Sequence, residues 1–511
     1  MNLLVDPVLT LSSFDRVSLP ALFAAMTRDE VRGFPALRPH QRPAWHMFLV
    51  QLAALSLWNA GHDDLPDAEA EWARAMRGLT PGHEDDAPWR LTVTDASKPA
   101  FMQASAPEGL KWSRVSTPDA LDMLITARNH DLKQAIAREA EPEDWIYALV
   151  SLQTCEGFGG RGNYGIARMN GGSSSRPLFG LAPLRESGVI SVDPSAWWAR
   201  DVRYLLRARA DGIANGIGDS GGHSLLWCLP WPEDDQLDLR SLDPLFIEIC
   251  RRVRLREKGG RLFGVRSTSS GPRINAKPFK GNVGDPWIPV HQDGKSLTLG
   301  GGDFHYRRLC DLLFSGNWVK PLLARPRNEE TGDMLLVAEA FARGNSKTEG
   351  FKSRVLLVPG KVLPLFSTES AGSLAAAQMQ EIKTFQSALR YALALMSAGG
   401  VRDRIQKGHY DHASLAQARF DKTADRLFFP SLWRRIEAAN QGDEEVSRAK
   451  RDFLGSLWRE VQVEFEAALP AIPCSVIFRL RAEVRSRRAL YSLVRKEFSE
   501  LFEAESQNEA A

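Results

Sequence analysis

CEGFGGRGNYGIARMNGGSSSRPLFGL, residues Cys155–Leu181, sets the terms on which the rest of the chain is read. It contains eight glycines: Gly157, Gly159, Gly160, Gly162, Gly165, Gly171, Gly172 and Gly180. Glycine reaches positive φ and lets a ligand approach bare backbone N–H and C=O groups. Arg161, Asn163, Tyr164, Arg168, Asn170 and three consecutive serines lie between them and suit a nucleic-acid backbone or groove edge. A mobile surface loop has the same composition. The helix-like chain before the segment and the cation-dense run after it favour binding. Gly157, Gly159 and Gly162 satisfy G-x-G-x-x-G, but dinucleotide binding needs a strand directly before and a helix directly after. Trp145–Thr154 fits helix or strand, and Asn163–Ser175 has no helical period. No G-x-x-x-x-G-K-[ST] occurs. A nucleotide cofactor is therefore set aside, and neither a cofactor nor a metal is expected.

The 511 residues suffice for two or three domains, and 43% apolar with 25% charged residues describe an ordinary globular composition. Net charge is only +2, so affinity for nucleic acid has to come from local clusters. No apolar run is long enough to cross a bilayer, and the start MNLLVDPVLTLSSFD has no secretory pattern. The five cysteines (Cys155, Cys228, Cys250, Cys310, Cys474) are scattered, which predicts reduced thiols and a cytoplasmic protein.

In chain order, Asn2–Asp6 (NLLVD) reads as a first strand, and Ser18–Met26 and His40–Gly61 as core helices. Thr117-Pro118-Asp119 reads as a helix start running into Ala127–Ala140. There Arg128, Asn129, His130, Asp131 and Lys133 crowd together. With no further ligands adjacent, that cluster reads as a polar loop gripping RNA or a partner rather than as a metal site. Ser195–Ala210 fits helix or long strand. Phe246–Val265 reads as a β-hairpin turning at Lys258-Gly259-Gly260. From Arg251 to Lys280 ten cations stand against one acid, Glu257, so alternating arginines should track phosphates from one face. Asp333–Phe341 and Arg354–Val358 read as short strands flanking a polar loop, Ala342–Lys352. From about Ser370 helical periodicity takes over, in Ala371–Met396, Leu415–Phe428, Pro430–Asn440, Glu444–Leu469 and Ser475–Phe502. The last of these carries Arg479, Arg481, Arg485, Arg487, Arg488, Arg495 and Lys496, which predicts one basic face. The fold class expected is α+β: a large mixed N-terminal domain over 1–368, then a four-helix bundle over 369–511.

This order of pieces resembles the CasA family, the large subunit of the type I-E Cascade complex of bacterial CRISPR immunity. The resemblance rests on NLLVD (Asn2–Asp6), P-x-F-M-Q (Pro99–Gln103), GFGG (Gly157–Gly160), the Gly-Asp-Pro-Trp turn (Gly284–Trp287) and the terminal helical bundle. It implies an N-terminal domain of unusual topology and a non-enzymatic subunit beside the 5′ handle of the CRISPR RNA. Such a subunit reads the protospacer-adjacent motif of double-stranded DNA through the minor groove, helps open the duplex and recruits a helicase–nuclease. Its implied partners are CRISPR RNA, target duplex DNA, the other Cascade subunits and that helicase–nuclease, with no membrane. By similarity the DNA-reading residues are Gly157, Phe158, Gly159, Gly160, Arg161 and Asn163, with Lys277 or Lys280 as the groove lysine. The wedge is Gly344–Thr348, with Asn345, Ser346 and Lys347 where the family's best-known members carry Asn-Gln. Arg128, Asn129, His130 and Lys133 would meet the RNA handle or neighbouring subunits. A minor groove mainly separates A·T from G·C, which backbone amides and a lysine read permissively.

Two alternatives remain open. His223, His409, Asp411 and His412 could serve a metal-dependent nuclease, although no H-E-x-x-H or paired-aspartate cluster supports it. The chain could also be a scaffold whose glycines form only a flexible loop.

Overall fold

The computed structural model describes all residues except 14, 122–139, 186–189, 214–215, 234, 345–346, 367 and 503–511. Two compact units emerge: Met1–Phe304 with Asn317–Leu357, and His305–Gly316 with Val358–Ala511. The first is mixed α/β and the second helical. No helix among the described residues is long and apolar enough to cross a membrane.

The mixed unit is built round α2 (Arg42–Ala60), which follows α1 (Leu19–Thr27). Trp45, Phe48, Leu49, Leu52 and Leu55 are all buried, and a helix apolar on nearly every side belongs inside a core. Gly61, at φ 72°, takes the left-handed position that ends it. Helices α3 (Glu69–Gly78), α4 (Pro142–Cys155) and α5 (Pro194–Ala210) pack against α2 or α1. Both ambiguous apolar stretches are thus helices. In α5 the Asp193 side chain accepts from Ala196 N–H at 2.9 Å and Pro194 sits at the first position, a strong N-terminal signal.

The strands form small sheets. β3 (Ser113–Val115), β8 (Arg261–Ser267) and β7 (Arg252–Lys258) lie in the order β3-β8-β7, all antiparallel. β7 and β8 are the expected hairpin, joined by Gly259 and Gly260 at φ 60° and 74°. A second sheet runs β12-β11-β4, from β4 (Leu178–Pro183), β11 (Met334–Gly344) and β12 (Lys347–Val358). β11 and β12 are longer than the sequence suggests. Most of the expected polar loop Ala342–Lys352 is therefore strand.

Asn2–Asp6 is a turn rather than a strand. Asn2 Oδ1 accepts from Leu4 N–H, Asp6 Oδ2 accepts from Asn2 N–H at 2.7 Å, and Val5 and Asp6 N–H both donate to Asn2 C=O. Local hydrogen bonds by Asn and Asp outcompete the ladder while Leu3 and Leu4 still bury. Among the described residues Thr117 is followed by a 3-10 turn, Pro118–Ala120, without a side-chain cap. The helix expected to run from it into Ala127–Ala140 falls on 122–139, outside the described residues.

The helical unit contains four long helices: α7 (Glu369–Ser397), α8 (Ser414–Ala438), α9 (Asp443–Ala468) and α10 (Val476–Glu497). Leu415–Phe428 and Pro430–Asn440, read as separate, are one helix with Pro430 inside it. Packing overrides the proline: Phe428, Phe429, Leu432 and Trp433 bury across the join. The shorter Tyr306–Phe314 also belongs to this unit; Tyr306 stacks on Phe428 at 4.7 Å and its N–H donates to Asp425.

The basic face expected on α10 is largely committed internally. Arg487 pairs with Glu466 at 2.7 Å, Arg479 binds Glu483 and Leu469 C=O, and Arg481 and Arg485 donate to the carbonyls of Gly399 and Gly400. Arg481, Arg485 and Arg487 are nonetheless exposed, as are Arg488, Arg495 and Lys496.

Asp421 gives this unit an acid-sensitive joint. Burial works against its charge, but hydrogen bonds from His305 and Arg307 hold its carboxyl down at about 2. A depressed carboxyl contributes stability above its unfolded value near 3.9, and that contribution disappears as pH falls through the folded value. The helical transition of wild type should lose stability between about pH 4 and 2 more steeply than that of Asp421→Asn, as followed by thermal unfolding.

Candidate nucleic-acid interface

The glycine segment leaves the C-terminal end of α4, so the partial charge facing it is negative. That removes the phosphate-loop reading on physical grounds as well, since anions collect at helix N-termini. Its base is closed by Glu156 pairing with Ser175 and by Arg176 N–H donating to Cys155 C=O at 2.9 Å. Inside, Phe158 N–H donates to Gly172 C=O, and Gly159 N–H and Asn163 N–H form a tight turn with Asn163 C=O and Gly160 C=O. Ser269 N–H donates to Gly162 C=O and ties the loop to the end of β8.

Three glycines of the segment are required by packing, one of them Gly165, whose Cβ would lie 2.7 Å from Gly157 C. A Cβ on Gly157 would lie 2.4 Å from Ser174 O and 2.6 Å from Gly172 O. One on Gly162, at φ 81°, would lie 2.6 Å from Thr268 Cβ. Gly160, at φ 111°, faces open space, leaving its side of the loop approachable. Beside it Phe158 and Arg161 are exposed, with Phe158 tilted against Tyr164 at 6.1 Å.

Beneath the loop lies a buried charge network. Arg168 donates to Glu248 at 3.1 Å and contacts Asp285 at 3.0 Å. Arg176 grips the same Asp285 through Nε at 2.7 Å and donates to Gln51 of α2 at 3.1 Å. Asp285 also accepts from Trp287 N–H, and Glu248 from Ala167 N–H. Burial pushes the Glu248 carboxyl up against the pull of Arg168. Arg168, grouped by sequence with the ligand-facing polar residues, is 1% exposed and structural. The Gly-Asp-Pro-Trp turn acquires a reason: its aspartate neutralises the two arginines that hold the segment.

The cationic run divides. Arg251, Arg252, Arg254 and Arg273 are buried, so the expectation that alternating arginines track phosphates from one face is corrected for these four. Arg252, Arg254 and Arg256 do share a face of β7, but it is covered at Arg252 and Arg254 and open only at Arg256. Arg254 donates to backbone carbonyls at Val93, Asp95, Lys98, Gln103 and Ala104, and Arg252 to Trp231 and Pro232. Burial pushes the Arg254 guanidinium down to about 10. Guanidinium forks here supply donors to irregular backbone that has no ladder of its own. Gln103 of P-x-F-M-Q does the same, donating to Leu91 and Phe101 C=O and accepting from Leu255 N–H. Arg251 donates to Gly157 C=O at 2.6 Å and to Tyr164 C=O, cross-bracing the glycine loop.

Arg256, Lys258, Arg261, Arg266, Lys277 and Lys280 remain exposed. Lys280 holds a left-handed φ of 51°, and the following Gly281 packs so closely that a Cβ would lie 2.5 Å from Met169 C. Lys280 is thus set beside the glycine segment, with Lys277 at the start of the same 3-10 turn. Ser175 and Phe341 exchange hydrogen bonds, so β11, the strand leading to the expected wedge, is tied near its end to the foot of the loop. Asn345 and Ser346 at that tip, and Arg128, Asn129, His130 and Lys133, lie outside the described residues. Lys347 opens β12. Sequence reasoning missed the roles of Arg176, Asp285, Glu248 and Gln51, and counted Arg251 among the phosphate-tracking cations rather than as the brace of the loop. Only Asp285 had a local signal, in its turn motif.

Of the alternative nuclease residues, His409 accepts from Gln406 N–H at 2.9 Å and His412 bonds Ser397 Oγ at 2.8 Å, while His223 belongs to the mixed unit. Among the described residues no group of three or more His, Cys, Asp or Glu could hold a metal.

No protein-family model matches the chain, and no curated protein matches it. Solved structures do. The CRISPR-associated protein Cse1 of Acidimicrobium ferrooxidans superposes with a TM-score of 0.64 at 15% identity, over 98% of this chain and 99% of that one. Thermus thermophilus CasA (Cse1) gives 0.58 at 14% identity over 97% and 99%. Thermobifida fusca Cse1 gives 0.57 at 11% over 96% and 98%. The chain has the Cse1/CasA fold from end to end.

Proposed function

We propose that this chain is the CasA-type large subunit of an RNA-guided Cascade surveillance complex. In this reading it meets the guide-RNA handle and the other subunits, and reads the protospacer-adjacent motif through the minor groove. It then helps open the duplex and recruits the helicase–nuclease. The observation that carries the reading is full-length agreement of fold with Cse1 proteins across both units. The braced glycine loop supports it: an open face at Gly160, exposed Phe158 and Arg161, and lysines alongside. Guide pairing supplies sequence specificity, so a permissive backbone-and-lysine reader is chemically sufficient.

In assembled complex, Lys280→Ala or Lys277→Ala should weaken binding to duplexes with favoured flanking bases by about tenfold, the scale of one good groove contact. Sequencing bound members of a library with randomised flanking bases measures this. An unchanged preference in both variants removes the lysine from the reading.

A further inference from the structure

A cleft of about 570 Å³ opens beside the glycine loop. One wall is Gly159 and Asn163; the other is the end of β8, with Arg266, Ser267 and Thr268, and Lys111 and Ser113 from the β3 side. Arg251 lines its floor. The volume falls within the roughly 300–1,000 Å³ of sites that bury one small molecule, but hydroxyl, amide and charged groups outnumber the apolar lining of Ala120, Leu121, Leu152 and Val253.

The charge pattern is specific. Among the described residues, no carboxylate forms an ion pair with Lys111, Arg251 or Arg266; Arg252, also in the lining, has Glu233 at 3.7 Å. Arg251 is 8% exposed, and its guanidinium bonds carbonyls of the glycine loop, the carbonyl of Cys250 and the Cys250 Sγ, none of them a carboxylate. Glu156 is the one acid in the lining. A buried, carbonyl-held guanidinium with two exposed cations at the mouth seeks an anion there. Ser113, Ser267, Thr268 and Asn163 add hydrogen-bonding groups of the kind that contact sugar, phosphate and unpaired base edges.

We infer that this cleft holds one unpaired nucleotide of a single strand, with Lys111 and Arg266 on its flanking phosphates. The inference rests on the glycine segment being a nucleic-acid interface, and it names what that interface takes: a single-stranded phosphodiester chain. The strand is either guide RNA or DNA released from the duplex, which share this chemistry.

The test uses the purified full-length chain with labelled 12-mers of oligo-dT and oligo-U, by fluorescence anisotropy across a salt series. The double variant Lys111→Glu, Arg266→Glu should bind at least tenfold more weakly. Its salt slope should be shallower by about 1.4, for two lost phosphate contacts on single strands. Thermal unfolding of the variant at the wild-type midpoint shows that the fold is kept, and Arg266→Lys should retain most of the binding. A larger loss for oligo-U assigns the cleft to RNA, and one for oligo-dT assigns it to DNA. Binding within twofold of wild type with an unchanged slope overturns the inference, as does full competition by millimolar inorganic phosphate. Either result leaves the flanking-base reading standing, because that reading is measured on duplex DNA in assembled complex.

Discussion

Asp285→Ala should destabilise the mixed unit by about 3–5 kcal/mol, the cost of removing one partner from a buried ion pair. The carboxylate sits between the guanidiniums of Arg168 and Arg176, each 1–2% exposed. Without it the two cations would face each other in the interior. Glu248 would remain for Arg168 and only the neutral Gln51 for Arg176. Urea unfolding of the purified chain measures the change. A loss under 1 kcal/mol would mean that water or a rearranged side chain neutralises the pair, and that the glycine loop does not depend on the turn.

Gly157→Ala has the second largest expected effect. Its Cβ would meet two backbone carbonyl oxygens at 2.4 and 2.6 Å, which cannot rotate away as a side chain can. Overpacking of this kind costs about 1–3 kcal/mol, and the loop must shift to relieve it. Gly171→Asn is the contrast. Gly171 has φ 66° with nothing near its Cβ, a conformation asparagine tolerates. Thermal unfolding should separate the two clearly, and duplex binding in assembled complex should fall for Gly157→Ala only. Equal behaviour would mean that the loop is not held in one conformation.

These residues also show what could be read from the chain alone. The helical unit was legible because its signal, the apolar period of α7, is local, and the β7–β8 hairpin of the mixed unit was legible for the same reason, from its Gly259-Gly260 turn. Errors arose where partners are remote. Arg252 and Arg254 look like a phosphate-tracking stripe until their acceptors appear, and those acceptors are carbonyls about 20 and 150–160 residues away. Backbone carbonyls carry no sequence signature. The Asn2–Asp6 turn was missed because side-chain-to-backbone bonds competed with an apolar strand pattern, and Pro430 was taken as a break because packing across it is tertiary. At the candidate site, the glycines and neighbouring lysines were legible in composition. Which glycines are packed, which is open, and that Arg251 braces them were not.

The central claim is tested most directly by duplex binding to the complex of guide RNA and the other subunits, with and without this chain, over randomised flanking bases. The account predicts that adding the chain creates a preference for particular flanking bases and raises affinity for duplexes that carry them. Equal affinity and no preference with the chain present would contradict it.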